Sequence, residues 1–153
     1  MTIITKRLFI LSADDDEEDR MLFEEALQSV GAQHLLFAVY NGDRLINFLN
    51  DAYRKGEPLP HVIFLDLNMP VKNGKETLKI LKDPDSLFRH IPIILLTTSA
   101  APGDIEECYR LGANLFIVKP LSFNGLAAIL KDLLAVFTGM VRLPSVVPAP
   151  EGE

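Results

Sequence analysis

Asp66 directly follows the apolar run Val62 to Leu65 and is itself followed by Leu67, Asn68, Met69 and Pro70. A carboxylate at the end of a buried strand, with a proline limiting the turn behind it, is held at the rim of a sheet where it can act as a nucleophile. A turn aspartate closing a strand would account for this segment alone. The chemistry therefore depends on what other segments bring to the same rim. Asp14, Asp15 and Asp16 come after the apolar run Leu8 to Leu11, Thr97, Thr98 and Ser99 after Ile91 to Leu96, and Lys119 with Pro120 after Leu115 to Val118. Two acids crowded beside Asp66 would repel one another unless a cation joined them. Carboxylates and a backbone carbonyl are hard oxygen donors, and they suit Mg²⁺, which keeps several waters and accepts a phosphate oxygen. Thr97 offers a hydroxyl to an incoming anion, and the Lys119 ammonium supplies positive charge over the acids.

Each of these residues has a plainer role to weigh. The acids from Asp14 to Asp19 precede a helix, where negative charge stabilises the N-terminus by roughly 0.3 to 1 kcal/mol per residue. Capping does not require two acids at the strand end itself. The same segment imitates a calcium-binding loop, with Asp14, Asp16, Glu18 and Glu25 at its first, third, fifth and twelfth positions. Asp19 stands where that loop needs glycine, and a strand precedes the segment instead of a helix, so the calcium loop is rejected.

The elements that must position these residues alternate along the chain. Leu8 to Leu11 reads as a first strand, and Leu22, Phe23, Ala26, Leu27 and Val30 form one stripe of a helix that Gly31 can end. His34 to Tyr40 is a second strand with an Asn41-Gly42 turn, followed by a helix carrying Leu45, Ile46 and Leu49 and ending near Gly56. After the strand Val62 to Leu65, a helix over Glu76 to Lys82 buries Leu78 and Leu81. The strand Ile91 to Leu96 leads to a helix burying Ile105, Cys108 and Tyr109. Leu115 to Val118 is the fifth strand, and Leu126, Ile129, Leu130, Leu133, Leu134 and Phe137 mark the final helix. Strands this uniformly apolar are expected to be covered on both faces, as in a doubly wound parallel α/β sheet. In such folds sites form beyond the carboxyl ends of the strands, where every polar candidate above falls.

Composition excludes several classes. A chain of 153 residues, 48% hydrophobic, has room for one domain with its own core. Fifteen basic and twenty-one acidic residues give a net charge of −6 with no basic patch, so direct nucleic-acid binding is not expected. The single cysteine, Cys108, forms no internal disulfide and has no zinc spacing, which indicates a reducing compartment. No apolar stretch has the length of a signal-peptide core or a membrane span, so a cytoplasmic location without membrane contact is expected. The domain is expected over residues 1–140. Residues 141–153, with Pro144, Pro148 and Pro150, read as a flexible or extended tail with no output module after it.

From about Lys6 to Phe137 the chain resembles the receiver domains of two-component response regulators. The resemblance rests on Asp14-Asp15, on Leu65-Asp66-Leu67-Asn68-Met69-Pro70, on Thr97 and on Val118-Lys119-Pro120. It implies a flavodoxin-like (βα)5 three-layer sandwich whose five-stranded parallel sheet has the order 2-1-3-4-5. It further implies that Asp66 accepts a phosphoryl group from a phosphohistidine on a sensor histidine kinase or phosphotransfer protein. Asp15 would bind Mg²⁺ directly, Asp14 largely through water, and Asn68 through its backbone carbonyl, with Asp66 completing the metal set. Thr97 would hydrogen-bond the phosphoryl group, Lys119 would pair with it, and Pro120 would follow a cis bond. Thr97 and Phe116 would form the switch, Phe116 through ring packing because it has no hydroxyl. Asp16 falls on a position that varies among relatives and is left out.

The implied protein is a stand-alone receiver, not an enzyme beyond Mg²⁺-dependent phosphorylation and dephosphorylation of itself. It signals to a downstream protein or passes the phosphoryl group on in a phosphorelay, and a homodimer is compatible with it. The loop Lys82 to His90 resembles that of single-domain regulators paired with phytochrome-like or hybrid kinases. Two other classes compete. A haloacid dehalogenase-type phosphatase would place a second Asp two residues after the nucleophile, where this chain has Asn68, and a pseudo-receiver adaptor would lack the acids that are present here. His34, His61 and His90 stand at no phosphotransfer or metal spacing and read as structural or surface residues.

Overall fold

The computed structural model describes residues 7–69, 71–98 and 101–140. The tail 141–153, Pro70 and Ser99 lie outside the described residues, so the expectations placed on them stay with the sequence. Five parallel strands run β1 (Phe9–Ala13), β2 (Leu35–Val39), β3 (Val62–Leu65), β4 (Ile93–Thr97) and β5 (Leu115–Val118), and they pair in the order β2-β1-β3-β4-β5. The helices between and after them are α1 (Glu17–Gly31), α2 (Gly42–Lys55), α3 (Gly74–Leu81), α4 (Pro102–Arg110) and α5 (Phe123–Ala135), the last prolonged by a π-helical turn at Val136–Met140. This is the expected doubly wound, three-layer arrangement.

The strict two-residue alternation of strand side chains divides the core. Leu11, Ile63, Leu65, Ile93 and Leu95 face a cluster shared with Leu45, Leu49, Leu78 and Cys108 from α2, α3 and α4. Ile10, Val62, Phe64, Ile94 and Leu96 face the opposite cluster with Phe23, Leu27, Leu126, Leu130 and Leu134 from α1 and α5. Both faces of β3 and β4 are fully buried. The edge strands are less well covered than the sequence suggested: Leu35 and Phe37 on β2 and Val118 on β5 remain about half exposed. The helical layers close over the middle of the sheet, and at its β2 edge Phe37 packs tilted on Phe48 with ring centroids 4.6 Å apart.

Several local expectations change. Strand β1 runs on through Ser12 and Ala13, while Ile91 belongs to a turn closed by its N–H on the Phe88 carbonyl. Asn73, not read as a cap from sequence, starts α3 by accepting the Glu76 N–H at 2.9 Å. Gly56 ends α2 with φ of 69°, as expected, but Gly31 is the last helical residue of α1 and has no positive φ. A Cβ on Gly31 would lie 2.5 Å from the His34 ring, so close packing explains it. In α4 only Cys108 is buried. Tyr109 stands exposed, and its hydroxyl accepts the Phe116 N–H at 2.9 Å, an alternative to burial that apolar periodicity does not register. His34 and His61 are structural, each accepting a backbone N–H through Nδ1, from Leu8 at 3.0 Å and from Phe9 at 2.9 Å.

Candidate functional site

Backbone pairing carries the sheet one residue past the strand ends and sets the site. The Asp14 N–H donates to the Val39 carbonyl (3.1 Å), Asp66 N–H to the Ala13 carbonyl (3.0 Å) and Lys119 N–H to the Thr97 carbonyl (2.8 Å). The three chemically active segments are thereby locked to their neighbours at one rim, as the strand-end rule requires. The loop after Asp66 is held by Gly74, whose N–H donates to the Leu67 carbonyl at 2.9 Å. A Cβ at Gly74 would lie 2.4 Å from the Asp66 carbonyl oxygen, which only glycine permits.

Asp66 is buried, with 9% of its surface exposed. Burial is the largest influence on its carboxyl and raises its pKa above the ordinary 3.8. A hydrogen bond from the Thr97 hydroxyl opposes the rise, the Asp14 charge adds to it, and Lys119 and the Asn68 N–H oppose it. The Asn68 N–H lies 3.4 Å from Asp66 Oδ1, so the backbone after the acid folds back over its carboxylate. Thr97 is fully buried at the end of β4.

Lys119 lies across the acids. Its Nζ is 2.7 Å from Asp14 Oδ2 and 3.3 Å from Asp19 Oδ2. Burial by itself would lower the lysine pKa, but Asp14, then Asp66 and Asp19, outweigh it, and the ammonium is held above its ordinary 10.5. Asp14 is fixed on its other sides, its Oδ1 accepting the Asp16 N–H at 3.0 Å and its carbonyl accepting Arg20 Nη1 at 2.8 Å. Asp16 points into the helix start as the cap of α1, accepting the Asp19 N–H at 3.0 Å.

One carboxylate oxygen from each of Asp14, Asp15 and Asp66 lies within 4.8 Å of the others. An all-oxygen set of one exposed, one half-buried and one buried carboxylate fits a hard divalent ion that retains waters. Asn68 lines the same cleft as Asp15, beside Met69, Asn73, Lys75 and Asp104. The expected residues Asp14, Asp15, Asp66, Asn68, Thr97 and Lys119 are thus brought together. Phe116 is not among them: it lies half-buried in β5 against the α2, α3 and α4 cluster, in a place suited to ring packing. The Lys119–Pro120 bond is trans, against the cis form the resemblance implied; the two forms of an X–Pro bond differ by only about 0.5 to 1 kcal/mol.

Sequence reasoning missed Asp19 and Lys75. Asp19 was hidden in an acidic run whose capping role was sufficient to explain it. Lys75 bridges α3 to α4 through Asp104 (2.6 Å) and Glu107 (2.7 Å), partners 29 and 32 positions away that no local spacing could reveal.

The family model described as "Response regulator receiver domain" matches residues 10–131. The chain is 30% identical over 138 residues to the response regulator Rcp1 of Synechocystis sp., covering 89% of this chain and 92% of that protein. The crystal structure of the phosphorylated cyanobacterial phytochrome response regulator RcpA superposes with a TM-score of 0.77 at 31% identity, covering 92% of this chain and all of that one. The Mn(2+)-bound form of Rcp1 superposes with the same TM-score at 30% identity, covering 90% and 99%. Family match, strand order and the convergence of Asp14, Asp15, Asp66, Thr97 and Lys119 agree, and the chain belongs to the response regulator receiver domains.

Proposed function

We propose that Asp66 is the phosphoacceptor of a stand-alone, cytoplasmic response regulator, charged by a phosphohistidine on a sensor histidine kinase or a phosphotransfer protein. The observation that carries this reading is the buried Asp66 carboxylate, gathered with two further acids, a hydroxyl and an ammonium. In the transfer, an Asp66 oxygen forms a bond to phosphorus as the phosphorus–nitrogen bond of the donor breaks, and the imidazole leaves with a proton from solvent. The work of the site is positioning and charge neutralisation, because the transferred group has little need of acid or base help. Lys119 balances the growing negative charge, and the Thr97 hydroxyl, already directed at Asp66, is available to the phosphoryl oxygens. Mg²⁺ held by Asp14, Asp15, Asp66 and the Asn68 carbonyl supplies further neutralisation when bound. The Mn(2+)-bound form of the related Rcp1 supports the binding of a divalent ion by this protein.

The product acyl phosphate carries about 1.5 to 2 negative charges. That charge draws on Thr97 and Lys119 and repacks Phe116, and the altered surface is read by a downstream protein or the phosphoryl group moves on in a relay. Hydrolysis of its own phosphoaspartate is the only further reaction; the chain turns over no other substrate. Nucleic acid and membrane are not direct partners, and a homodimer is one form in which the signal is read. Incubation with Mg²⁺ and acetyl phosphate followed by intact mass is expected to show one phosphoryl group per chain. Uptake that survives Asp66→Asn or needs no divalent ion would overturn the reading, and steady turnover of phosphate esters would favour a phosphatase.

A further inference from the structure

We propose that Asp19 is a positioning residue that keeps the Lys119 ammonium over Asp66 while a cation occupies Asp14; the inference rests on the phosphoacceptor reading. The Lys119 side chain is only 9% exposed and its ammonium is shared between two acids of α1 and the segment before it, Asp14 at 2.7 Å and Asp19 at 3.3 Å. These acids are not equivalent. Asp14 offers an oxygen to the cluster formed with Asp15 and Asp66, so a divalent ion there competes with the lysine for one carboxylate. Asp19 has no place in that cluster, and its charge remains with Lys119 when the cluster is engaged. Its location is fixed separately: it sits in the first turn of α1, and its N–H is bound by the cap residue Asp16 at 3.0 Å.

A lysine ammonium is a compact charge on a flexible four-carbon stem. Once its shorter contact is weakened, a second anchored carboxylate is what limits the positions that stem can take. Asp19 touches no reacting atom and acts only through Lys119.

The test uses the full chain with Asp19→Ala, Asp19→Glu and, as a control of equal charge change in the same turn, Glu18→Ala. Two quantities are read at saturating Mg²⁺: the nitrogen-15 NMR signal of the Lys119 ammonium before phosphorylation, and the rate of phosphoryl uptake from acetyl phosphate. In Asp19→Ala the ammonium signal is expected to broaden or vanish through exchange with water. The uptake rate is expected to fall about tenfold, within the ~100-fold that a misplacement of about 1 Å can cost. Asp19→Glu restores both and Glu18→Ala changes neither. The proposal is overturned by an unchanged Lys119 signal in Asp19→Ala, by an equal loss in Glu18→Ala, or by failure of Asp19→Glu to restore. Should Asp19→Ala lose its fold, the same outcomes are read on the isosteric Asp19→Asn. If the unsubstituted protein takes up no phosphate, the phosphoacceptor reading fails, and the ammonium signal still decides the role of Asp19.

Discussion

Burial of a carboxylate favours its neutral form, and at Asp66 burial, with the Asp14 charge added, outweighs the Thr97 hydrogen bond and the Lys119 charge and raises the pKa. Below pH 3.8 it is protonated whether the chain is folded or unfolded. As pH rises, the unfolded chain ionises first, so the folded state loses stability through the window between 3.8 and the raised folded value. Asp66→Asn is therefore expected to raise the melting temperature by a few degrees at pH 7 without divalent ions. That advantage should shrink as the pH falls through the window; thermal scans from pH 7 to pH 3 would measure it, and an Asn variant no more stable than the parent at pH 7 would contradict the account. Lys119 is shifted in the same direction, so it too loses stability as pH rises, but in the alkaline range. Its raised folded pKa means that its contribution is fully present below 10.5 and lost as pH climbs through the folded value. At this scale the reactive residues were legible in sequence because each closes an apolar run. Asp19 was not, because its partner lies 100 positions away in another element.

Helix α4 is the most lightly held of the five helices, with one buried side chain, Cys108, and no side-chain hydrogen bond at its N-cap Ala101. Among the described residues, contacts outside the core that tie it down include the Tyr109 hydroxyl on β5 and Lys75 of α3 on Asp104 and Glu107. The two carboxylates raise the lysine pKa above its ordinary value. Exposed ion pairs are screened by solvent and individually weak, so this network matters mainly because so little else among the described residues fixes the helix. Lys75→Met is expected to speed amide exchange several-fold across 102–110 and to leave α1 and α5 unchanged, with high salt giving part of the same effect in the parent. Equal exchange in the two proteins would show that packing alone positions α4. The helix is legible from the apolar spacing of Ile105, Cys108 and Tyr109, but periodicity counts the Tyr109 ring as apolar and ignores its hydroxyl, so it misplaces that side chain in the core. The helix-ending glycines differ in the same way: Gly56 ends α2 in the left-handed conformation that a helix-ending glycine is expected to take, whereas Gly31 serves a contact with His34 that only the folded chain creates.

As a whole molecule, the domain holds three carboxylates close together at one rim of an otherwise apolar sheet, and any ion that binds only this arrangement stabilises the fold by mass action. Mg²⁺ at one hundred times its dissociation constant is expected to add about 2.7 kcal/mol, seen as a rise in the urea midpoint, and Asp15→Asn should abolish most of that gain. No dependence of the midpoint on Mg²⁺ would remove the metal from the account. The sequence by itself determined the alternation of five strands and helices, the burial of the sheet on both faces, and the acids, hydroxyl and lysine at the strand ends, because periodicity and turn chemistry act over a few residues. Only the tertiary structure decided which edge strands stay partly bare, that Asp16 caps a helix while Asp14 turns to Lys119, that Asp19 shares that lysine, and that Lys75 spans two helices. Those outcomes depend on distances between residues far apart in the chain, and such distances exist only once the sheet has brought the strand ends to one rim.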